Sequence, residues 1–134
     1  MAYGAAGMSD SSETALPSVT DRFEHIASMI HEVEAILAGI FQQELIDDRQ
    51  RRMALERMLE IISVASDHIP TNMKAADTDV DWQAIADIGK RLENTRDRIE
   101  PEVLWAISHD TLPPLKACAE RRLREQDNEQ LPSS

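Results

Sequence analysis

The sequence predicts an all-α protein, an antiparallel bundle of about five helices. Three observations predict it. Apolar residues recur at three- and four-residue intervals over long stretches. Glycine is scarce, four in 134 residues, and neither alternating apolar/polar runs nor Asn-Gly turns appear, so strands have no support. Hydrophobic residues make up 42% of the chain but aromatic residues only 4%, so the core must be assembled from Leu, Ile, Val, Ala and Met. The length suits one domain and is enough to bury such a core without staples.

Taken in order, residues 1–17 are small and polar and end in Pro17, which reads as a disordered tail. Ser18 or Thr20 can cap the first helix. Its stripe is Phe23, Ile26, Ala27, Ile30, Val33, Leu37 and Ile40, with an end expected near Phe41. A second long helix follows a short break. Leu55, Met58, Leu59, Ile62, Ala65 and Ile69 form its apolar face, and Pro70 stops it. Residues 70–80 read as a polar loop.

Asp81 can cap a third helix, whose apolar face is Trp82, Ile85, Ile88 and Leu92. Glu100-Pro101 opens a short fourth helix, because proline at the first helical position lacks only an N–H that would have no partner there. Val103, Leu104 and Ile107 are its expected buried residues. Asp110 or Thr111 starts a fifth, facing inward through Leu115, Cys118, Ala119 and Leu123. The bundle is thus expected over 18–124, followed by a polar C-terminal tail over 125–134. The first two long helices, joined by a short break, should form an antiparallel hairpin with the rest packed across it.

Formal net charge is −11, which sets the global field against nucleic acid and anionic membranes. The basic residues are not spread evenly. Arg49, Arg51, Arg52 and Arg57 form one cluster, and Lys90, Arg91, Arg96 and Arg98 form another; together they are eight of the 14. Left to itself, such a cluster reads as a solvated helix face. A single cysteine, Cys118, excludes an internal disulfide and fits a reducing compartment. No stretch approaches the ~20 apolar residues of a membrane span, and the N-terminus lacks the basic start and apolar run of a secretory signal. A cytoplasmic protein is expected, without membrane association.

Most chemistry is excluded by what the sequence lacks. His25, His31, His68 and His109 show no metal-ligand spacing, and no metal or cofactor is expected. There is no phosphate-cradling glycine loop and no nucleophile elbow. Acidic pairs such as Asp47-Asp48 and Asp79/Asp81 read as caps and loop residues. Cys118 reads as an inert core thiol, and Trp82 and Trp105 as core or dimer packing.

Three segments carry a resemblance: RRMALERMLEIISVAS, VDWQAIADIGKRL and RIEPEVLWAISHDTLPPLKACAE. In that order they resemble the HepT-like branch of the HEPN superfamily, from about Val19 to Leu123. The resemblance implies a helical bundle that dimerises. It implies the toxin of a toxin–antitoxin system, a metal-independent ribonuclease with a nucleotidyltransferase-like antitoxin as partner. The site it implies lies at the dimer interface and has the form Arg-Asn-x-Leu-x-His-x-Tyr, or Gly-Asn-x-Leu-Arg-His-x-Tyr. Imidazole suits that chemistry, since it titrates near pH ~6.5 and can move a proton to or from an RNA 2′-hydroxyl. Arginine steadies charge on the phosphate oxygens, and the tyrosine is where the antitoxin attaches AMP.

Set against that motif, residues 89–99 keep some positions and replace others. Gly89 matches the glycine variant. Lys90 replaces the asparagine, while Arg91 and Leu92 fit. Glu93 stands where the second variant has arginine, Asn94 replaces the histidine and Arg96 the tyrosine. Upstream, Val64 stands where the family often carries an acidic residue. The only tyrosine is Tyr3, in the tail. The resemblance therefore implies a retained scaffold with a degenerate ribonuclease motif at Gly89, Lys90, Asn94 and Arg96. Three functions remain open: a catalytically impaired dimer that binds RNA or a nucleotidyltransferase-like partner through Lys90, Arg91, Arg96 and Arg98; an active ribonuclease with a rearranged site using His109 or a carboxylate; or an interaction module outside toxin–antitoxin systems. The acidic surface favours a protein partner over bulk RNA.

Overall fold

A computed structural model describes residues 17–94 and 99–130. Among these residues the order is α1 (Val19–Leu37), α2 (Gln42–Asp47), α3 (Arg49–Asp67), α4 (Thr71–Ala76), α5 (Trp82–Glu93) and α6 (Pro101–Ala106). A π-helical turn (Ile107–Thr111) then leads into α7 (Leu112–Gln130). The all-α architecture is as the sequence predicts, with two short helices, α2 and α4, in segments expected to be a break and a loop. The expected tail at 1–16 lies outside the described residues.

Each helix starts where its chemistry allows. Ser18 caps α1 in a reciprocal box: its Oγ accepts from the Asp21 N–H at 3.0 Å, and Asp21 Oδ2 accepts from the Ser18 N–H at 3.1 Å. Asp48 caps α3 and Asp81 caps α5, each carboxylate accepting an N–H three residues on at 3.0 Å. Pro101 occupies the first turn of α6. Helix α1 ends at Leu37, earlier than expected, because Gly39 takes a φ of +74° and turns the chain out of the helix.

The fourth and fifth helices of the sequence reading are one continuous run. Pro113 and Pro114 have no N–H for the carbonyls of His109 and Asp110, and their rings would crowd those oxygens. The backbone widens instead of breaking: the Leu112 N–H donates to the Ile107 carbonyl five residues back. Helix α7 then continues through Gln130, into residues assigned to the polar tail.

Helix α1 packs chiefly on α3 and α7, and α3 also packs on α5; α2 and α6 lie together. The α1–α3 hairpin is antiparallel, as expected: the Arg51 guanidinium, at the start of α3, donates to the Ile36 carbonyl at the end of α1. Helix α7 runs antiparallel to α1 as well, with Lys116 Nζ 3.0 Å from Glu34 at the far end of α1. The core holds the expected Phe23, Ile26, Ile30, Val33, Leu55, Leu59, Ile62, Ile85, Ile88, Leu104, Leu115, Cys118 and Ala119. It also holds Leu45, Val80 and Ile99, from segments read as connections or left unassigned, and Leu112, at the start of the expected fifth helix. Burying each such side chain contributes roughly 1.5–3 kcal/mol. Among the described residues no helix is long and apolar enough to cross a membrane.

Candidate functional site

The motif region lies on the last turns of α5, and burial sorts its residues. Gly89 is buried, at a crossing of α5 over α3. A Cβ placed there would sit 2.0 Å from Ser63 Oγ and 2.7 Å from Ser63 Cβ. Glycine is required at this position because α3 comes closer than any side chain permits. Leu92 is half-buried against the core. Lys90, one residue from Gly89, is exposed. Asn94 is the exposed C-cap of α5, its N–H donating to the Arg91 carbonyl at 3.2 Å. Arg96 and Arg98, the remaining residues of the expected basic surface, lie outside the described residues.

Arg91 is engaged within the chain. Its Nη2 donates to Glu100 Oε1 at 3.2 Å, bridging the end of α5 to the start of α6. Backbone hydrogen bonding at Glu100, and then this guanidinium, hold the Glu100 carboxyl below the usual carboxylate range. Beyond Glu100 lies a cleft of about 230 Å3, lined by Arg49, Arg52, Met53, Glu56, Ile99, Glu100 and Pro101. Arg91 of the second basic cluster thus pairs with Glu100, and Arg49 and Arg52 of the first line the same cleft as that carboxylate.

The first cluster is nevertheless not a patch of equivalent charges. The Arg51 guanidinium donates to the Ile36 carbonyl and to Asp48. That of Arg52 donates to the carbonyls of Ile46 and of Leu45, the latter at 3.0 Å. These oxygens belong to the last turns of α1 and α2, where helical N–H partners run out, although that of Leu45 also accepts the Asp48 N–H at 3.3 Å. The two arginines therefore work as C-terminal caps, a role that a reading of the cluster as a solvated face misses. Arg57 pairs with Glu60 at 3.1 Å.

His109, the acid/base of the rearranged-site reading, sits in the π turn. Its ring stacks on Trp105, with centroids 4.2 Å apart, and its Nδ1 lies 2.8 Å from the Trp105 carbonyl. A carbonyl only accepts, so Nδ1 carries a proton and Nε2 is the position left for proton exchange on this exposed ring. Nine residues separate it from Glu100, about 13 Å along a helical path.

The sequence reading missed a further polar cluster. Asp77, only 8% exposed, accepts from Arg121 Nη2 at 2.6 Å and from Arg122 Nη2 at 2.8 Å, and its backbone carbonyl accepts from the Trp82 indole N–H. Burial alone would raise this carboxyl, but hydrogen bonds from Arg122, Cys118 and Arg121 outweigh it and hold the carboxyl lowered. The Cys118 thiol is pushed up to about 11, by burial first and by Asp77 second, so it is a protonated core group and no nucleophile. The cluster ties the α4–α5 connection to α7. Nothing short of the fold could have paired Asp77 with residues more than forty positions away.

No group of three or more His, Cys, Asp or Glu side chains able to hold a metal ion occurs among the described residues.

The family model described as ribonuclease HepT-like matches residues 26–122, from within α1 to within α7. A curated relative named "Probable ribonuclease HepT", from Thermococcus cleftensis, is 29% identical over 101 residues, covering 75% of this chain and 92% of that protein. No solved structure matches. With a helical bundle, the motif region at the end of α5 and a family match over most of its length, the chain belongs to the HepT-like family.

Proposed function

We propose that this chain is a HepT-like protein of a toxin–antitoxin-type system whose ribonuclease motif is degenerate, and that it acts as a dimeric binding or regulatory module. The observation that carries the reading is Asn94. It occupies the motif position where the family's chemistry needs an imidazole, and a carboxamide exchanges no proton near neutral pH. Loss of a general acid/base lowers a rate by roughly 100- to 10,000-fold. The engagement of Arg91 by Glu100 supports the same reading, since a guanidinium paired within its own chain must exchange that partner before it can steady a phosphate.

Binding is then what remains of the function, through the end of α5. A nucleotidyltransferase-like protein is the partner we favour, since net charge −11 sets bulk RNA against the chain. The absence of a motif tyrosine removes the usual target of such a partner, so the contact would be stoichiometric and not a modification. One observation favours the alternative of an active ribonuclease: His109 presents an exchangeable Nε2 on an exposed ring.

An RNA-cleavage assay in EDTA separates the two, run on the wild type beside Asn94→His/Arg96→Tyr and His109→Ala. Cleavage by the revertant alone is the expected result. Cleavage by the wild type that disappears in His109→Ala overturns the proposal and places the chemistry on the π turn.

A further inference from the structure

Helices α1 and α3 run antiparallel and leave a groove of about 280 Å3 between them. Ile61, Val64 and Ala65 floor it, and Arg22, His25 and Arg57 rim it. Val64 is 46% exposed, one of three large hydrophobic residues that the described surface leaves open. The groove thus combines an apolar floor, part of it bare to solvent, with a rim rich in hydrogen-bond donors.

The charges on that rim are unusual for this chain, which has 25 acidic residues for 14 basic ones. Arg51, Arg57, Arg91, Lys116, Arg121 and Arg122 each pair with a carboxylate at 3.2 Å or less. The half-buried Arg22 does not. Among the described residues its side chain has no hydrogen-bond or ion-pair partner, and neither has that of His25. Ser18, Val19, His25 and Ile26 stand three and four positions from Arg22, so its own helix offers it no carboxylate. A guanidinium partly removed from water and left unpaired costs stability, which an incoming carboxylate would offset. Arg57 is held by Glu60 at 3.1 Å, but its side chain is largely exposed, and so wet a pair contributes little and exchanges readily.

Spacing narrows the occupant. Antiparallel packing sets the start of α1 against the end of α3, so Arg22 lies at the Val64 end of the groove. Arg57 stands two turns of α3 away, about 10 Å. The positive groups therefore flank the apolar floor instead of gathering at one point. A single phosphate would meet only one of them. RNA would meet both, but it brings a charge with every nucleotide against a net −11. An amphipathic helix meets both with only two charges. Its carboxylates at i and i+7 are the same two turns apart, and apolar residues at i+3 and i+4 lie between them on the same face. The furrow between two packed helices also has the shape to take a third. We propose that the α1–α3 groove is a docking site for an acidic amphipathic helix of a partner protein. Arg22 and Arg57 take its carboxylates, and Ile61, Val64 and Ala65 take its apolar side chains. His25, exposed beside Arg22, adds a ring N–H donor. The site shares no residue with the end of α5 and stands whether or not the ribonuclease motif is degenerate.

Fluorescence anisotropy of a labelled peptide on the full chain tests this. The probe is an alanine- and glutamine-based helix of about 16 residues, with Glu at i and i+7 and Leu at i+3 and i+4. Binding is expected to be weak, with a Kd of ~10–100 μM, because the contact is small. A peptide with Gln in place of both Glu should bind roughly tenfold more weakly or worse. Arg22→Glu and Val64→Glu should each weaken the original peptide by a similar factor, and Arg22→Glu should prefer a peptide in which one Glu is replaced by Lys. A glutamate in the first turn of α1 suits the helix dipole, so Arg22→Glu keeps the fold, and circular dichroism checks both variants. Arg124→Glu, the same change of net charge on the exposed surface of α7, should leave binding unchanged. No binding at ~1 mM peptide overturns the proposal, and so does binding indifferent to Arg22→Glu and Val64→Glu. Two other occupants are separated in the same series. A short single-stranded RNA that binds through Arg22 and displaces the peptide assigns the groove to RNA. Self-association in sedimentation velocity that the peptide and Val64→Glu both abolish assigns it to a second copy. Either result overturns the partner helix.

Discussion

Replacing Gly89 with alanine should destabilise the protein, although alanine is the better helix former. Alanine in the interior of α5 gains roughly 0.5–1 kcal/mol over glycine from backbone entropy. Against this stands the crossing with α3. The new Cβ would meet Ser63 Oγ at 2.0 Å and Ser63 Cβ at 2.7 Å. The hydroxyl can rotate away, but the Cβ is fixed to the α3 backbone, so the two helices must part. Overpacking of this kind costs about 1–3 kcal/mol, which leaves a net loss of up to about 2.5 kcal/mol. Ser63→Gly alone should cost about 0.5 kcal/mol through lost helix propensity. Combined, the two substitutions exchange the small residue between the helices and relieve the clash. The double variant should therefore be more stable than the sum of the singles by ~1 kcal/mol or more. Denaturant unfolding followed by helical circular dichroism gives all four corners of this cycle. Simple additivity, or a Gly89→Ala variant more stable than wild type, refutes the close crossing.

Two further outcomes follow from the polar contacts. Asp77→Ala should cost about 2–3 kcal/mol, less than a fully buried pair, because Arg121 and Arg122 are 43% and 23% exposed and can rehydrate. Asp77 is held below its ordinary 3.8, so its contribution is complete above that value and is lost as pH falls through the lowered one. The stability gap between wild type and Asp77→Asn should accordingly shrink between neutral pH and pH ~3, and a constant gap refutes the pairing. Arg52→Ala should free the Ile46 carbonyl, leave that of Leu45 with the Asp48 N–H alone, and cost about 1–2 kcal/mol. Hydrogen exchange should show faster amides in α2, and unchanged protection there would mean the cap contributes nothing.

The long helices are legible because each keeps one face apolar for several turns and begins at a residue that can cap it. Ser18, Asp81 and Pro101 mark starts that the structure reproduces. Helices α2 and α4 are illegible for the converse reason: six residues are too few for a period to emerge, and neither begins at a residue whose own side chain caps it. Their neighbourhood still supplies Leu45 and Val80 to the core, which only the tertiary fold reveals. The π turn misleads in another way. Two consecutive prolines read as a new beginning, whereas the chain keeps its helical course by widening one turn around them.

At the candidate site, charge was legible and role was not. Four arginines between 49 and 57 look alike in sequence, yet Arg51 and Arg52 close the ends of two helices and Arg57 pairs with its neighbour. Arg91 looks like a phosphate ligand, yet it holds Glu100. The motif itself divides by exposure. Gly89 and Leu92, which match the family pattern, are buried or half-buried, whereas Lys90 and Asn94, which depart from it, are exposed. Burial therefore ties Gly89 and Leu92 to the packing of α5 on its neighbours, so substitutions there change stability first, while Lys90 and Asn94 face solvent at the helix end.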